Sequence, residues 1–461
     1  MDTHYAFDGF GQMTSIEHKD GAAVLDGWTY GMDGGAITAI TAEDGSRWAY
    51  EHDANSRLTK AERYDTDGTS LLHRYSYTYD DADNMLTKAV YDAGADSTTN
   101  TVFAYGDANL LTSQSVGGTT TSFAYDDWGR MTSRSDGTYS ATYAYRYGDK
   151  LYSVTSDFPS EGNATYQYDG AGKRRQKTAG GTTTKYRWDR GWNVLNEEDN
   201  LGSLMLTRVI NSPLAETAGI LGDVAGTNPA TGAYRYYASD HLGSTRGLYD
   251  GSKSALGSYE YSPYGEVYAS TGSVSNITRR YTGHDWDDAA ELYYAPYRYY
   301  APGLARWITR DPLGTIDGPN VYAYVGDSPI LRVDRLGLCS NSLCKQYANS
   351  MFRDCMREAK RFWRRNKREM IELYDKAILR IDQSESNCRI NCEKGYECWP
   401  LLVRLCEYGC STQASIAKKI AIATLVSTWA SNDAAYSGNM TMCKTAQLLQ
   451  HDVCNQECLE P

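Results

Sequence analysis

At 461 residues with a formal net charge of −12, the chain is long enough for more than one domain and a large buried core. Its most apolar stretch, Ile420 to Ala430, is too short to cross a bilayer as a helix, so no transmembrane segment is expected. Thirty-nine tyrosines and 42 glycines against only seven phenylalanines point to a β architecture with many turns.

From the N-terminus, MDTHYAFDGF has neither a basic start nor an apolar core, so no cleavable signal peptide is visible. These residues fall directly into a repeat, which fits the C-terminal portion of a longer protein or export without a cleaved signal. The repeat is an aromatic-x-aromatic-Asp/Gly tetrad. It begins with Tyr5-Ala6-Phe7-Asp8, Trp28-Thr29-Tyr30-Gly31, Tyr50-Glu51-His52-Asp53, Tyr77-Thr78-Tyr79-Asp80 and Phe103-Ala104-Tyr105-Gly106. Phe123-Ala124-Tyr125-Asp126, Tyr145-Arg146-Tyr147-Gly148, Tyr166-Gln167-Tyr168-Asp169 and Tyr186-Arg187-Trp188-Asp189 complete nine units, with fourth positions 20 to 27 residues apart.

Each tetrad predicts a strand with alternate side chains on one face, followed by a turn. The Asp bonds its own backbone there, and a Gly or Asn takes positive φ. The "RLT" or "RMTS" that follows starts the return strand. One hairpin cannot bury its face alone, so successive units are expected to stack into a continuous curved sheet with the tyrosines as its packed ladder.

Further along come DHLGSTRGLYD (Asp240 to Asp250), YSPYGE (Tyr261 to Glu266) and YTGHDWD (Tyr281 to Asp287). LYYAPYRYYAPGLARWITRDPLG (Leu292 to Gly314) and NVYAYVGDSPILRVDRLGL (Asn320 to Leu338) follow. The repeat resembles the YD repeat of the Rhs family, and these later motifs, in this order, are similar to the Rhs-associated core of polymorphic toxins and of the C component of insecticidal toxin complexes. The resemblance spans residues 1 to about 338. It implies a mainly β fold, a hairpin spiral forming part of a hollow shell, with repeats at 1–233, the core at 234–338 and a variable C-terminal domain at 339–461.

It also implies self-cleavage after the core, at Leu338–Cys339. The family's Pro, four residues, then Asp-Pro-x-Gly-Leu corresponds to Pro329, Asp334, Arg335, Leu336, Gly337 and Leu338, with Arg335 where the family normally has proline. Asp311 and Asp334 are then the carboxylate pair of an aspartyl-type protease acting once in cis, with Arg298 beside them. Such chemistry needs two carboxyls close enough to share a proton, one serving as acid and the other as base. The implied partners are the chain's own C-terminal domain as enclosed cargo, a cognate immunity protein and a secretion apparatus. The implied location is secreted or cell-surface.

Cysteine usage changes at the same bond, with none in the first 338 residues and eleven afterwards. Charge changes too: residues 1–338 carry 29 Lys+Arg against 44 Asp+Glu, and residues 339–461 carry 17 against 14. The three- and four-residue spacing of Phe352, Cys355, Met356, Ala359, Phe362 and Trp363 predicts a helix, and Ser415 to Ser431 and Thr445 to Cys458 also read as helical. A small cysteine-rich α-helical domain is expected.

Cys388 and Cys392, Cys406 and Cys410, and Cys454 and Cys458 share an i, i+4 spacing that puts both sulfurs on one helix face, as disulfide staples between helices require. Disulfides imply an oxidising space. No Cys-x-x-Cys pair accompanies the single histidine of this region, His451, so no metal is expected, and no motif calls for a cofactor. The basic run Arg361 to Arg368 reads as a solvated helix face rather than a nucleic-acid contact, because acidic residues flank it. Two functions therefore stand at this point. One is a toxin-delivery protein that releases a C-terminal effector; the other is a YD-repeat surface or adhesion protein with a structural cysteine-rich tail.

Overall fold

Asp8, Asp53, Asp80, Asp126, Asp169, Asp189, Asp199, Asp240 and Asp250 all close the same five-residue turn. In each, one carboxylate oxygen accepts the main-chain N–H four residues on, while the Asp N–H donates back to that residue's carbonyl, as with Asp53 and Arg57 at 2.9 Å both ways. The fourth residue of the turn has positive φ. It is Gly11, Gly129, Gly172, Gly202 or Gly243, as the composition predicts, but also Ser56, Asp83, Trp192 and Lys253. The carboxylate anchor holds the loop shut, so residues other than Gly or Asn can occupy that position. Burial alone would raise the Asp53 and Asp126 pKa values, but the hydrogen bonds from Arg57 and Arg130 outweigh it and hold both carboxyls below their usual range.

The computed structural model describes residues 1–338, apart from 147, 171, 190, 191, 211–219, 275, 316 and 317. Joined by these turns, 24 strands from β1 (Asp2–Phe7) to β24 (Val267–Gly272) form one sheet among the described residues. Every strand pairs antiparallel with the next, a single long meander that continues unbroken past residue 233. Hairpins thus continue beyond the ninth tetrad through the turns at Asp199, Asp240 and Asp250. The tetrad at Trp28 departs from the expected pattern, because Gly31 lies within β3 (Ala23–Asp33) and the chain turns later, at Gly34-Gly35. Gly31 brings no carboxylate to anchor a turn.

In seven of the nine tetrads the register slips between the second and third residues, as at Glu51/His52, Thr78/Tyr79, Ala124/Tyr125 and Gln167/Tyr168. In the other two it falls at Gly31/Met32 and at Ala144/Tyr145. A bulge of this kind sharpens twist and bends the sheet. It also brings Leu58, Met85 and Met131, the first residues of the return strands, fully into the core beside the first aromatics Tyr77, Phe103 and Tyr166.

The second aromatic of each strand makes the link between neighbouring units; in the seventh unit the strand's pair is Tyr143 and Tyr145, two residues ahead of the tetrad read from the sequence. Tyr79 donates its hydroxyl to the carbonyl of Leu58 (2.6 Å), Tyr105 to Met85 (2.8 Å), Tyr145 to Met131 (2.8 Å) and Tyr168 to Leu151 (2.8 Å). Phenylalanine fills the same space without that donor, which gives the excess of tyrosine a physical cause. Removing one such hydroxyl leaves a buried carbonyl without this donor, so Tyr168→Phe should lower unfolding free energy by about 1–2 kcal/mol, read as a shift in denaturant midpoint. An unchanged midpoint would mean that the hydroxyl adds nothing.

A second, four-stranded sheet is built from β25 (Asp285–Asp287), β26 (Leu292–Tyr294), β27 (Tyr299–Ala301) and β28 (Arg306–Trp307). Strand alternation sorts its aromatics onto two faces. Leu292, Tyr294 and Tyr299 join the core of Met131, Leu151 and Tyr166, while Tyr293, Tyr300 and Trp307 join Tyr237, Leu248 and Tyr259. Tyr300 and Tyr324 stack with ring centroids 4.1 Å apart.

The last strand of this sheet and the segment after it are laced to the repeat turns at equivalent atoms. Ser328 Oγ donates to the Ser56 carbonyl (2.5 Å), Asn320 Nδ2 to Asp83 (2.8 Å), Arg306 Nη2 to Asn109 (2.6 Å) and the Tyr322 hydroxyl to Gly129 (2.7 Å). Each acceptor is the carbonyl of a turn's positive-φ residue. Four turns of the repeats thus anchor residues 306 to 328.

Candidate active site

The residues singled out in the core sequence come from three segments, and the fold brings them together. Arg298 sits in the connection between β26 and β27, where the Ala295 N–H closes a turn onto the Arg298 carbonyl (3.0 Å). Its side chain is buried against Trp307, with the guanidinium carbon 4.3 Å from the ring centroid. A single nitrogen, Nη2, meets Asp311 Oδ2 at 2.8 Å and Asp334 Oδ2 at 2.9 Å. Nε donates to the Gly337 carbonyl at 2.7 Å, so the same group also holds the backbone next to Leu338. The planar fork of arginine suits this multiple engagement, which a lysine ammonium on its flexible stem does not reproduce.

Each aspartate turns its other oxygen toward its own loop. Asp311 Oδ1 accepts the Leu313 N–H at 2.7 Å, and the Asp311 N–H is fixed by the Val321 carbonyl at 2.8 Å. Asp334 Oδ1 accepts the N–H of Gly337 (2.8 Å) and of Leu338 (2.9 Å). The second carboxylate therefore grips the residue whose carbonyl belongs to the bond of interest. Asp311, Asp334 and Arg298 are 8%, 2% and 3% exposed, so two acidic groups and one cation share a site from which bulk water is largely excluded. The two carboxylates thus share one guanidinium nitrogen.

The loop that carries Leu338 is held as closely. Gly337 takes φ +77°, and the Tyr297 N–H donates to the Leu336 carbonyl at 2.9 Å. Leu336 and Leu338 are buried. Burial lowers the Arg335 pKa, opposed by the Tyr5 hydroxyl of β1, and among the described residues Arg335 forms no ion pair with Asp311 or Asp334. Cys339 and the six paired cysteines, Cys388, Cys392, Cys406, Cys410, Cys454 and Cys458, lie outside the described residues, as do the helices expected at 339–461.

His284 and Thr282 of YTGHDWD carried no assigned role in the sequence, yet both are buried beside this loop, and His284 Nε2 lies 3.0 Å from the Asp334 carbonyl. The histidine itself, one of seven in the chain, was the available signal.

Among known proteins, residues 105–141 match the family described as RHS Repeat. The tRNA3(Ser)-specific nuclease WapA of Bacillus spizizenii is 32% identical over 193 residues, 40% of this chain and 8% of its own length. Toxin subunit YenC1 of Yersinia entomophaga is 29% identical over 203 residues, 41% of this chain and 21% of its own. A mutant Photorhabdus luminescens Tc holotoxin pore superposes with a TM-score of 0.58 at 19% identity, over 74% of this chain and 18% of that one. The fold is thus shared with a toxin-complex component, and the chain spans about a fifth or less of the length of these relatives.

Proposed function

We propose, from the premise that this chain is an RHS-repeat protein, that it is a toxin-delivery protein which cuts itself at Leu338–Cys339 to free a C-terminal effector. In this reading residues 1–233 supply repeats, 234–338 the cleaving core, and 339–461 the released domain. The meander of antiparallel hairpins forms part of a shell around that cargo, and the whole is exported, with an immunity protein guarding the producer. Curated relatives described as a nuclease and as toxin subunits support a toxin-related role.

One observation carries the proteolytic part: Arg298 Nη2 meets both Asp311 and Asp334, and Asp334 also holds the Leu338 N–H. The ionised member of the pair takes a proton from water as the water oxygen adds to the Leu338 carbonyl carbon. The neutral member gives its proton to the carbonyl oxygen. The resulting diol collapses and the C–N bond breaks: the departing amine of Cys339 takes the proton that one aspartate gained from water, a diol hydroxyl returns its proton to the other aspartate, and a carboxyl is left on Leu338. Arg298 retains its charge throughout and keeps the two acids in register.

Asp311→Asn and Asp334→Asn should each abolish the cut, a loss of at least about a thousandfold, because either change removes the acid–base pair rather than weakening it. Intact mass spectrometry of the purified full chain reads the result directly. Variants that split as fast as wild type would exclude the aspartate mechanism. If wild type itself stays whole and residues 339–461 are harmless when produced alone, the surface-protein reading replaces this one.

A further inference from the structure

His284 is 3% exposed, and its ring stands edge-on to Trp307, with centroids 6.4 Å apart at 89°. Its Nε2 lies 3.0 Å from the Asp334 carbonyl oxygen and 3.2 Å from that of Arg335. Both are pure acceptors, so Nε2 carries the proton and donates to the pair. Nδ1 then has a free lone pair and accepts from the Thr282 hydroxyl at 2.7 Å, and Thr282 Oγ1 is in turn 3.2 Å from the Tyr324 hydroxyl. Thr282 and Tyr324 are buried as well. A chain of donors thus runs from Tyr324 through Thr282 and His284 to the main chain of the cleavage loop, and it fixes one imidazole tautomer.

We propose that His284 is a positioning residue for self-cleavage: its Nε2–H holds the Asp334 and Arg335 carbonyls, and through them sets the direction of the Asp334 carboxylate and of Leu338. This rests on the autoproteolytic reading and adds to it a residue that touches neither the water nor the cut bond. Consecutive carbonyls directed at one nitrogen require a bent backbone at 334–335. The hydrophobic anchors Val333, Leu336 and Leu338 bury the segment but do not choose its peptide orientation. Asp334 Oδ1 also binds the Gly337 and Leu338 N–H groups, so a rotated 334–335 peptide would carry acid and target out of line together. Burial, then the Arg279 charge, pushes the His284 pKa down to about 4, so the ring is neutral at neutral pH and Nδ1 stays available to Thr282.

The test measures the cleavage rate of the full chain alongside its melting temperature. His284→Ala should slow cleavage by about a hundredfold, the scale of a misplacement near 1 Å. His284→Gln keeps an N–H donor and should recover the rate to within about tenfold of wild type. Thr282→Val should slow the wild-type chain yet add nothing in the His284→Gln background, since glutamine has no tautomer to fix. Wild-type rates in His284→Ala overturn the proposal. So does a His284→Gln chain as slow as His284→Ala, because the ring would then only fill space. A wild-type chain that stays whole removes the autoproteolytic reading itself, and this inference with it.

Discussion

Replacing Arg298 with methionine should both destabilise the core and stop cleavage. The guanidinium is the counter-charge of two buried carboxylates, 2.8 and 2.9 Å away, and removing it leaves them without that partner in a low-dielectric site. Breaking a buried pair from one side typically costs about 3–5 kcal/mol. The Gly337 carbonyl loses its donor and Trp307 its cation at the same time. A denaturant series on Arg298→Met should show that loss, and mass spectrometry should find only full-length chain. Arg298→Lys separates the two effects, because lysine keeps the charge but not the fork. It should recover much of the stability and little of the cleavage. A lysine variant that cuts at the wild-type rate would make charge alone sufficient and remove the geometric argument.

Gly337→Ala should have a large effect on cleavage at a smaller cost in stability. At φ +77° a non-glycine residue is strained, and an added Cβ would lie 3.0 Å from the Arg298 nitrogen, 3.1 Å from its Cβ and 3.2 Å from the Ala295 Cβ. Strain of about 1–3 kcal/mol is the usual cost of such a backbone. The chain relieves it by moving residue 337, and that motion passes directly to Leu338 and to the Gly337 carbonyl held by Arg298. The rate of self-cleavage should fall by about a hundredfold, while the melting temperature falls only as far as the strain at residue 337 requires. An alanine variant that cleaves normally would show that the loop tolerates displacement.

The hairpins were legible from the sequence because a tetrad with a 20- to 27-residue spacing repeats nine times, and period-2 alternation has one physical meaning. The later hairpins were not, since Asp199 and Asp250 close the same turn without an aromatic-x-aromatic pair before them. Tyrosine's excess could be counted but not explained, because the hydroxyl's acceptor, the preceding unit's carbonyl, exists only once the sheet has stacked. Asp311 and Asp334 lie 23 positions apart, a separation that says nothing of contact; only the resemblance paired them, and the fold supplies the shared nitrogen. His284 stayed silent for a related reason. Its partners are main-chain carbonyls 50 and 51 residues away, and main-chain atoms leave no mark on residue identity.

The most direct measurement is N-terminal sequencing of any smaller fragment in purified wild-type chain, beside Asp334→Asn. Wild type should yield a fragment beginning at Cys339, and the variant none. A wild-type chain that stays intact, or a fragment that begins elsewhere or persists in Asp334→Asn, would contradict cleavage by the aspartate pair at that bond.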